Sequence, residues 1–411
     1  MPGLLCLIAL LPPPAAPADA PAEGARPSLA EVVEGTLAAA GQLVRADALR
    51  GEAAAVRQQA GAFTAADPGL RLKGVTDQFN ADAGAYALEA LVELPLWLPG
   101  QRRARLELAR ALGVRADALA GLLRWEVTGA VRDAVWEVAL AKVQADQART
   151  AYAAAEALQA VVAKRYAAGE LARLDLLTAE QETLARAAEL TTADADLARA
   201  EAAYATLTGR TELPLPPEPG GNAATADAPA PLLPEHHPLL VAANAALGRA
   251  RAERDRVASE RRGHPILSLG GVRVRDDPRL DGDNTVQVEV SIPFGLRSHA
   301  APALAASERE VTDQLAELHR LRRAAEGELV EAVLGRRGAA AALAVAEARA
   351  RLAADALAVA ERGFELGETD LSERLLAERR AREAQLDLAL RRAEQGQALA
   401  RVNQALGILP E

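Results

Sequence analysis

The chain repeats itself once, and this internal repeat limits the folds that it can adopt. The segment Tyr166-Ala-Ala-Gly-Glu reappears as Phe364-Glu-Leu-Gly-Glu, 198 positions later in the 411-residue sequence. At the same offset Asp175 falls on Glu373. Further pairs at this offset are Leu177 with Leu375, Gly209 with Gly407, and Leu94-Pro-Leu with Ile292-Pro-Phe. Because the matches keep one order and one offset, the sequence predicts two copies of one structural unit.

The repeat predicts four segments along the chain. These are a signal-like or disordered N-terminus (1–27), a first copy (28–213), a linker rich in Pro, Gly and Ala (214–237) and a second copy (238–411). Each copy is predicted to contain a helix, a β-hairpin and a long helical hairpin. The composition of the linker is incompatible with a helix and favours an extended connection.

The N-terminal segment has the features of an export signal. Its apolar run, residues 4–11, is too short to span a bilayer and precedes a Pro- and Ala-rich stretch with a candidate cleavage site at Ala20-Pro-Ala. No basic residue precedes the run, which leaves an unstructured tail as an alternative. Cys6 adds lipidation as a second alternative.

Long helices dominate both copies. Proline is absent from residues 100–213 and 303–409, where apolar residues recur at helical spacing. A helix of residues 99–168 has a length of roughly 100 Å, which no compact globular domain of this size accommodates. Gly169 and Gly367 interrupt the pattern, and second helices are predicted at 174–208 and 371–405. Thr369-Asp370 is a plausible start for the last helix.

Each long helix is preceded by a pattern typical of a β-hairpin. In residues 285–293 valines and an isoleucine alternate with polar residues. In residues 85–95 the apolar positions Tyr86, Leu88, Ala90, Val92 and Leu94 alternate with Ala87, Glu89, Leu91 and Glu93. The predicted partner strands are residues 69–75 and 266–275. Strands of this length suit a tilted membrane strand, with Val288 and Val290 facing lipid. The charged positions expected to face a channel are Glu89, Glu93, Arg273, Arg275 and Glu289.

Composition and motifs exclude several functions. The net charge of −10 argues against a protein that binds nucleic acid by neutralising phosphates, and the single cysteine excludes an intrachain disulfide and a Cys-based zinc site. The histidines have no ligand spacing, and the acidic segment 276–284 fails the calcium-loop pattern and is predicted to be an exposed loop. No catalytic signature is found, so we expect neither an enzyme nor a cofactor or metal site.

The sequence resembles the TolC-like outer-membrane efflux protein family from about residue 28 to the end. The similar segments are Arg165-Tyr-Ala-Ala-Gly-Glu-Leu, Leu174-Asp-Leu-Leu, Gly363-Phe-Glu-Leu-Gly-Glu-Thr-Asp-Leu, Leu94-Pro-Leu-Trp-Leu-Pro-Gly-Gln, His237-Pro-Leu-Leu and Leu399-Ala-Arg-Val-Asn-Gln-Ala-Leu-Gly. The amino-acid sequences of these segments are most similar to those of family branches that serve heavy-metal or other cation efflux.

The resemblance implies a mainly α fold with a small β part. Each chain of a homotrimer would give four strands to a shared transmembrane β-barrel in the outer membrane, and its helical hairpins would form an α-barrel in the periplasm. A periplasmic adaptor (membrane fusion) protein would dock at the hairpin turns and link the duct to an inner-membrane transporter. The duct would export small molecules or metal cations as part of a tripartite efflux pump.

The resemblance also assigns site residues at the narrow end of the duct. The pore or gate candidates are Asp175, Glu373, Tyr166 and Phe364. The turn residues expected to dock the adaptor are Gly169, Glu170, Leu171, Gly367, Glu368 and Thr369. Some family members carry an arginine at the last of these positions that bonds across the closed end. With threonine there, any closing latch must use other contacts.

Three alternatives stay open at this point. Asp175 and Glu373 can equally be solvated acids in the first turn of a helix, where the helix dipole favours them. The chain can also serve as the outer-membrane duct of a type I secretion system. A soluble coiled-coil scaffold would explain the helices, but it explains neither the alternating strands nor the duplication.

Overall fold

The computed structural model describes residues 26–39, 41, 43–79, 84–214, 232–277, 279, 281–366 and 368–410. The predicted export signal, with its lipidation alternative, falls on residues 1–25, and most of the predicted linker falls on residues 215–231. Both lie outside the described residues, as does Gly367.

Each half of the chain has the same order of elements. The elements are α1 (Leu29–Ala39), α2 (Val44–Gly61), β1 (Gly69–Thr76), β2 (Tyr86–Pro95), α3 (Gln101–Ala167), α4 (Arg173–Thr208), α5 (Pro238–Glu260), β3 (Ile266–Arg275), β4 (Asp283–Ser291), α6 (Arg297–Leu366) and α7 (Leu371–Ala405). The order helix, two strands, long helix and shorter helix therefore occurs twice, and α1 is an additional helix in the first half. The predicted strands and helices are confirmed to within a few residues.

The long helices form two antiparallel hairpins. Helices α3 and α6 have 67 and 70 residues, so each is about 100 Å long. α3 packs against α4 and α6 packs against α7, while α5 contacts both α3 and α6. Among the described residues, no helix combines the length and the apolar character needed to cross a membrane.

A row of valines on α3 packs the first hairpin against the N-terminal helix α1. Val127, Val131, Val135 and Val138 are spaced three or four residues apart, so they share one face of α3 and are buried. They pack with residues of α1 and with Tyr204 of α4. The tyrosine hydroxyl donates to the Glu212 carbonyl (2.9 Å), which satisfies its only polar atom inside this core.

The four strands form one antiparallel sheet in the order β1-β2-β3-β4. The central β2–β3 pairing joins the two halves of the chain. The strand ends near the helices are Gly69, Pro95, Ile266 and Ser291, and the opposite ends carry the two hairpin loops. We call these the helix-proximal and helix-distal ends of the sheet.

A buried glutamine fastens the helix-proximal end. The Gln101 amide nitrogen donates to the carbonyls of Ser259 (3.3 Å) and Gly263 (2.9 Å). Its carbonyl oxygen accepts from the Leu98 amide (3.0 Å) and lies 2.9 Å from His264 Nδ1. One fully buried side chain thus ties the start of α3 to the end of α5, which fixes the angle at which the sheet meets the helices.

Candidate functional site: the two faces of the sheet and the hairpin ends

One face of the sheet, which we call the apolar face, is exposed. The register places four apolar side chains in one row of this face: Leu70, Val92, Leu269 and Val288. Their exposed fractions are 66%, 46%, 39% and 64%, and Val290 is 57% exposed. In the described part of the chain, no element covers them. A contiguous apolar surface of this kind marks contact with a membrane or a partner.

The opposite face, which we call the charged face, carries paired ions. Lys73 Nζ lies 3.0 Å from the Glu89 carboxylate on the neighbouring strand. Arg71 pairs with Glu93 and also reaches Glu289, with 3.6 Å between Nη1 and Oε2. The predicted channel-facing acids therefore share one face, and each has a cationic partner.

Two of the predicted channel-facing residues are on the other face, and this part of the prediction was wrong. Arg273 is paired with Leu88 and Asn284, and Arg275 is paired with Tyr86. Residues paired across an antiparallel sheet share a face, so both arginines lie on the apolar face. They occupy its helix-distal rows, beyond the apolar ones.

The first hairpin ends in a tight turn. Gly169 has a φ of +81°, a conformation that glycine adopts without the steric cost of a side chain. Its amide donates to the Tyr166 carbonyl (2.9 Å), and the Glu170 amide donates to the Arg165 carbonyl (2.9 Å). The Glu170 carboxylate also pairs with Arg165 Nε (3.2 Å). The backbone and one ion pair together fix this turn.

The second hairpin ends with a side-chain cap. Asp370 precedes α7, and its carboxylate accepts from the Glu373 amide (2.7 Å), so the predicted helix start is confirmed. Thr369 Oγ1 lies 3.4 Å from the Ala360 carbonyl, and Gly363 leaves room for the threonine methyl group. Thr369 therefore packs back onto its own hairpin, while Glu368 is exposed.

The two hairpin ends meet in one apolar cluster. Phe364 is buried at 5% exposure among the side chains Leu158, Val162, Ala179, Leu371 and Leu375, and Leu171 packs against this cluster. The guanidinium groups of Arg165 and Arg374 lie 5.0 and 5.1 Å from the centre of the Phe364 ring. Within the protomer this ring joins the hairpins, and cation–π contacts support it.

The two predicted acids have different surroundings. Asp175 is half-buried, and its carboxylate accepts from the Ala172 amide (3.0 Å) at the start of α4. It thus satisfies one of the free amides of that helix end. Glu373 and Tyr166 are exposed. Of the pore or gate candidates, only Phe364 is withdrawn from solvent by its own protomer.

A charge network between the hairpins is not among the sequence-based predictions. Glu182 on α4 accepts from Arg186 (2.9 Å) and from Arg382 on α7 (3.0 Å), and Arg382 also pairs with Glu378 (2.8 Å). All four side chains are less than one-fifth exposed. The spacings Glu182–Arg186 and Glu378–Arg382, each i to i+4, were the available signal. Only the tertiary structure brings the two pairs together.

Neither surface offers a metal site. Among the described residues, no group of three or more His, Cys, Asp or Glu side chains is placed to hold a metal ion. The arrangement instead provides an apolar surface, a charged surface and two helical hairpin ends.

A sheet with one exposed apolar face, continued by helical hairpins whose long helices measure about 100 Å, is a fold that this chain shares with solved outer-membrane channels. Solved structures with this fold include the outer membrane protein VceC from Vibrio cholerae (TM-score 0.70, 17% identity, 92% of this chain and 96% of that chain covered). The outer-membrane channel OprN gives a TM-score of 0.67 at 19% identity, with 96% and 97% covered. CusC, described as forming a transmembrane channel, gives 0.68 at 17% identity, with 92% of each chain covered.

Residues 231–408 match the family model described as outer membrane efflux protein. This match covers the second half of the chain, and the fold shared with the solved structures extends over nearly its whole length. No match is found among curated proteins. The family resemblance expected from the sequence is confirmed.

Proposed function

We propose that this protein is the outer-membrane duct of a tripartite efflux pump. The observation that carries the proposal is the sheet: an exposed apolar face and an ion-paired charged face, directly continued by two helical hairpins. The apolar face contacts lipid and the charged face lines the channel. Ten residues of β2 at about 3.3 Å each, tilted by about 40°, span roughly 25 Å, the height of the apolar band of an outer-membrane barrel.

One chain leaves two open edges, so several copies must close the barrel together, and the family resemblance implies a homotrimer. Among the described residues, β1 and β4 each pair on one side only. Unpaired backbone groups are costly in lipid, so membrane strands must close into a barrel. Three copies related by threefold symmetry give twelve strands, with β1 of one copy pairing with β4 of the next. The helical hairpins extend the duct into the periplasm.

The hairpin ends are the docking surface for a periplasmic adaptor protein. Glu170 and Glu368 are exposed there, and Leu171 and Thr369 are partly exposed. The adaptor links the duct to an inner-membrane transporter. Gly169 allows the sharp backbone turn at this surface. Gly367 occupies the corresponding position in the second copy of the sequence repeat.

Asp175 and Glu373 face the axis at the narrow end. Threefold symmetry gives six carboxylates, which attract cations and resist anions. A cationic cargo, metal ions included, is consistent with this charge. The bond from the Ala172 amide to Asp175 uses only one carboxylate oxygen, so the same side chain can cap α4 and present charge to the pore.

The edge-to-edge pairing supplies the test. Cys6 is replaced by serine, and Leu72→Cys on β1 is combined in turn with Asn284→Cys, Val286→Cys and Val288→Cys on β4. Within one chain β1 and β4 are separated by two intervening strands, roughly 14 Å if the sheet is flat, beyond the reach of a disulfide. Oxidation should therefore yield a covalent trimer in membranes for one of the three pairs.

The control pair is Leu72→Cys with Leu269→Cys, because β3 is not an edge strand and no trimer should form. Single-channel recordings of the same trimer should show stable conductance. Recovery of the parent chain as a monomer without detergent, or the absence of a covalent trimer for every pair, would overturn the proposal.

A further inference from the structure

The rows of the apolar face change character at the helix-distal end. The three rows nearest the helices contain only Leu, Val, Ala and Gly. The next row holds Gly74, Leu88, Arg273 and Asn284, and the last holds Thr76, Tyr86 and Arg275. The lipid-facing surface therefore ends in cations, an amide and an aromatic ring, all at the end away from the periplasmic helices.

Within the described part of the chain, the arginines of this face lack the carboxylate partners that cations on the charged face have. Arg71 and Lys73 each pair with a glutamate. Of the described carboxylates, none pairs with Arg273 or Arg275. Arg275 contacts the Tyr86 ring (4.8 Å) and the Gly84 carbonyl (3.2 Å from Nη2), which holds it against the sheet, and Arg273 is exposed.

Depth in the membrane determines what these arginines can contact. A lipid-facing arginine is costly at the midplane of a bilayer and nearly free at its boundary. Two rows at the helix-distal end correspond to the outer boundary, where lipid headgroups lie. Arginine matches phosphate with two parallel hydrogen bonds. Residues two apart on a strand are separated by about 7 Å, so the pair offers two such groups side by side.

We propose that Arg273 and Arg275 form a binding site for a phosphorylated lipid of the outer leaflet. The acyl chains lie along the apolar rows below, and the phosphate groups contact the two guanidinium groups. Tyr86 holds Arg275 in place from the same face. Each trimer carries three such sites, which fix its height in the membrane. This inference rests on the proposed function, because it requires the apolar face to contact lipid.

The test uses the full-length trimer purified in detergent and native mass spectrometry. The probes are a diphosphorylated outer-leaflet glycolipid and its enzymatically dephosphorylated form, with inorganic phosphate as competitor. The variant is Arg273→Gln with Arg275→Gln. The matched control is Lys73→Gln, which removes a cation from the charged face of the same sheet.

We expect the double variant to bind the phosphorylated lipid roughly tenfold or more weakly, as the loss of charged hydrogen bonds implies. Lys73→Gln and the parent should bind it equally, and the dephosphorylated lipid should bind weakly to all three proteins. Equal retention of the phosphorylated lipid by the double variant overturns the inference. Displacement of the lipid by millimolar phosphate also overturns it, since the site would then be a general anion site.

Conductance of the same preparations separates the two proposals. If parent and double variant both form channels but bind lipid equally, only the lipid site is wrong. If the parent forms no trimer and no channel, the proposed duct itself is wrong.

Discussion

Arg71 Nη1 lies 3.6 Å from Glu289 Oε2, although the two residues belong to β1 and β4, the opposite edges of the sheet. With strands about 4.8 Å apart, a flat sheet would separate these edges by about 14 Å. The Arg71 and Glu289 side chains therefore extend inward from the two edges and meet over the charged face. Leu91 and Ser268, on this same face, are almost fully buried. Side chains that extend from both edges thus cover the middle of this face.

The first prediction concerns Arg71, the cation between Glu93 and Glu289 on the charged face. Arg71→Gln should lower stability by less than about 1 kcal/mol, because the side chain is 43% exposed and such pairs contribute little. It should still raise cation preference, because Glu93 and Glu289 lose a compensating charge in the channel. Reversal potentials under a salt gradient measure this. Arg110→Gln, at an exposed pair on α3, is the control, and an identical shift in both variants would contradict the assignment of the faces.

The second prediction compares neighbouring positions of β4. Val288→Arg places a charge in the middle one of the three apolar rows of the apolar face and should cost roughly 2–4 kcal/mol. Gln287→Arg places the same charge on the charged face and should be tolerated. Denaturant unfolding of the trimer in lipid vesicles measures the difference. Equal tolerance at both positions would argue that this strand does not contact lipid.

The third prediction concerns the narrow end. Asp175→Asn together with Glu373→Gln removes six charges from a trimer and retains side-chain volume. The side-chain oxygen of the introduced asparagine can still accept a hydrogen bond from the Ala172 amide. The start of α4 should therefore be unchanged, and trimers should form. We expect lower cation preference and altered conductance in single-channel recordings. Glu156→Gln, an exposed acid on α3 far from the turn, is the control. Unchanged ion preference in the double variant would restore the solvated first-turn interpretation.

The fourth prediction separates the two aromatic positions that the repeat aligns. Phe364→Ala should cost about 3–5 kcal/mol, because the ring is buried between the hairpins. Tyr166→Ala should cost about 1 kcal/mol or less, because that ring is 39% exposed. Amide hydrogen exchange in α7 near Leu371 and Leu375 should accelerate in the first variant only. Matching exchange in both variants would show that Phe364 does not join the hairpins.

The fifth prediction concerns pH. His237 Nδ1 accepts the Leu239 amide (3.2 Å), and burial, with a smaller contribution from His236, lowers the pKa of His237 below its ordinary 6.5. The unfolded chain therefore binds more protons than the folded chain below about pH 6.5. Stability should fall as pH drops from about 6.5 toward the lowered pKa.

The variant His237→Asn retains an acceptor for the helix amide and does not titrate. It should reduce the pH dependence of the free energy of unfolding in this window, as measured by denaturant unfolding between pH 5 and 7. His299→Asn, an exposed position, should leave the dependence as in the parent. A parent-like slope in His237→Asn would assign the pH dependence to other groups.

Much of the candidate site could be predicted because its signals are local. The turn at Gly169 needs a residue that tolerates positive φ, and the start of α7 needs an acceptor such as Asp370. The network of ion pairs between the hairpins around Glu182 could not be predicted from the sequence. Glu182–Arg186 and Glu378–Arg382 each have the spacing of an ordinary ion pair on one helix. Which helices then meet is a matter of packing between distant segments.

The sequence by itself determined the repeat, the four strands and the four helices of the two hairpins, because hydrophobic period and helix-breaking residues act over a few residues. Only the tertiary structure decided which way the arginines of β3 point. In β3, Leu267 and Leu269 lie on one face of the strand, and Val272 and Val274 lie on the other. The sequence pattern is therefore compatible with either face of β3 being the apolar one. The pairing of Leu269 with Val288 places Leu269 on the apolar face. Arg273, four residues later in the same strand, therefore lies on that face as well. Strand register depends on a partner, and no single strand contains that information.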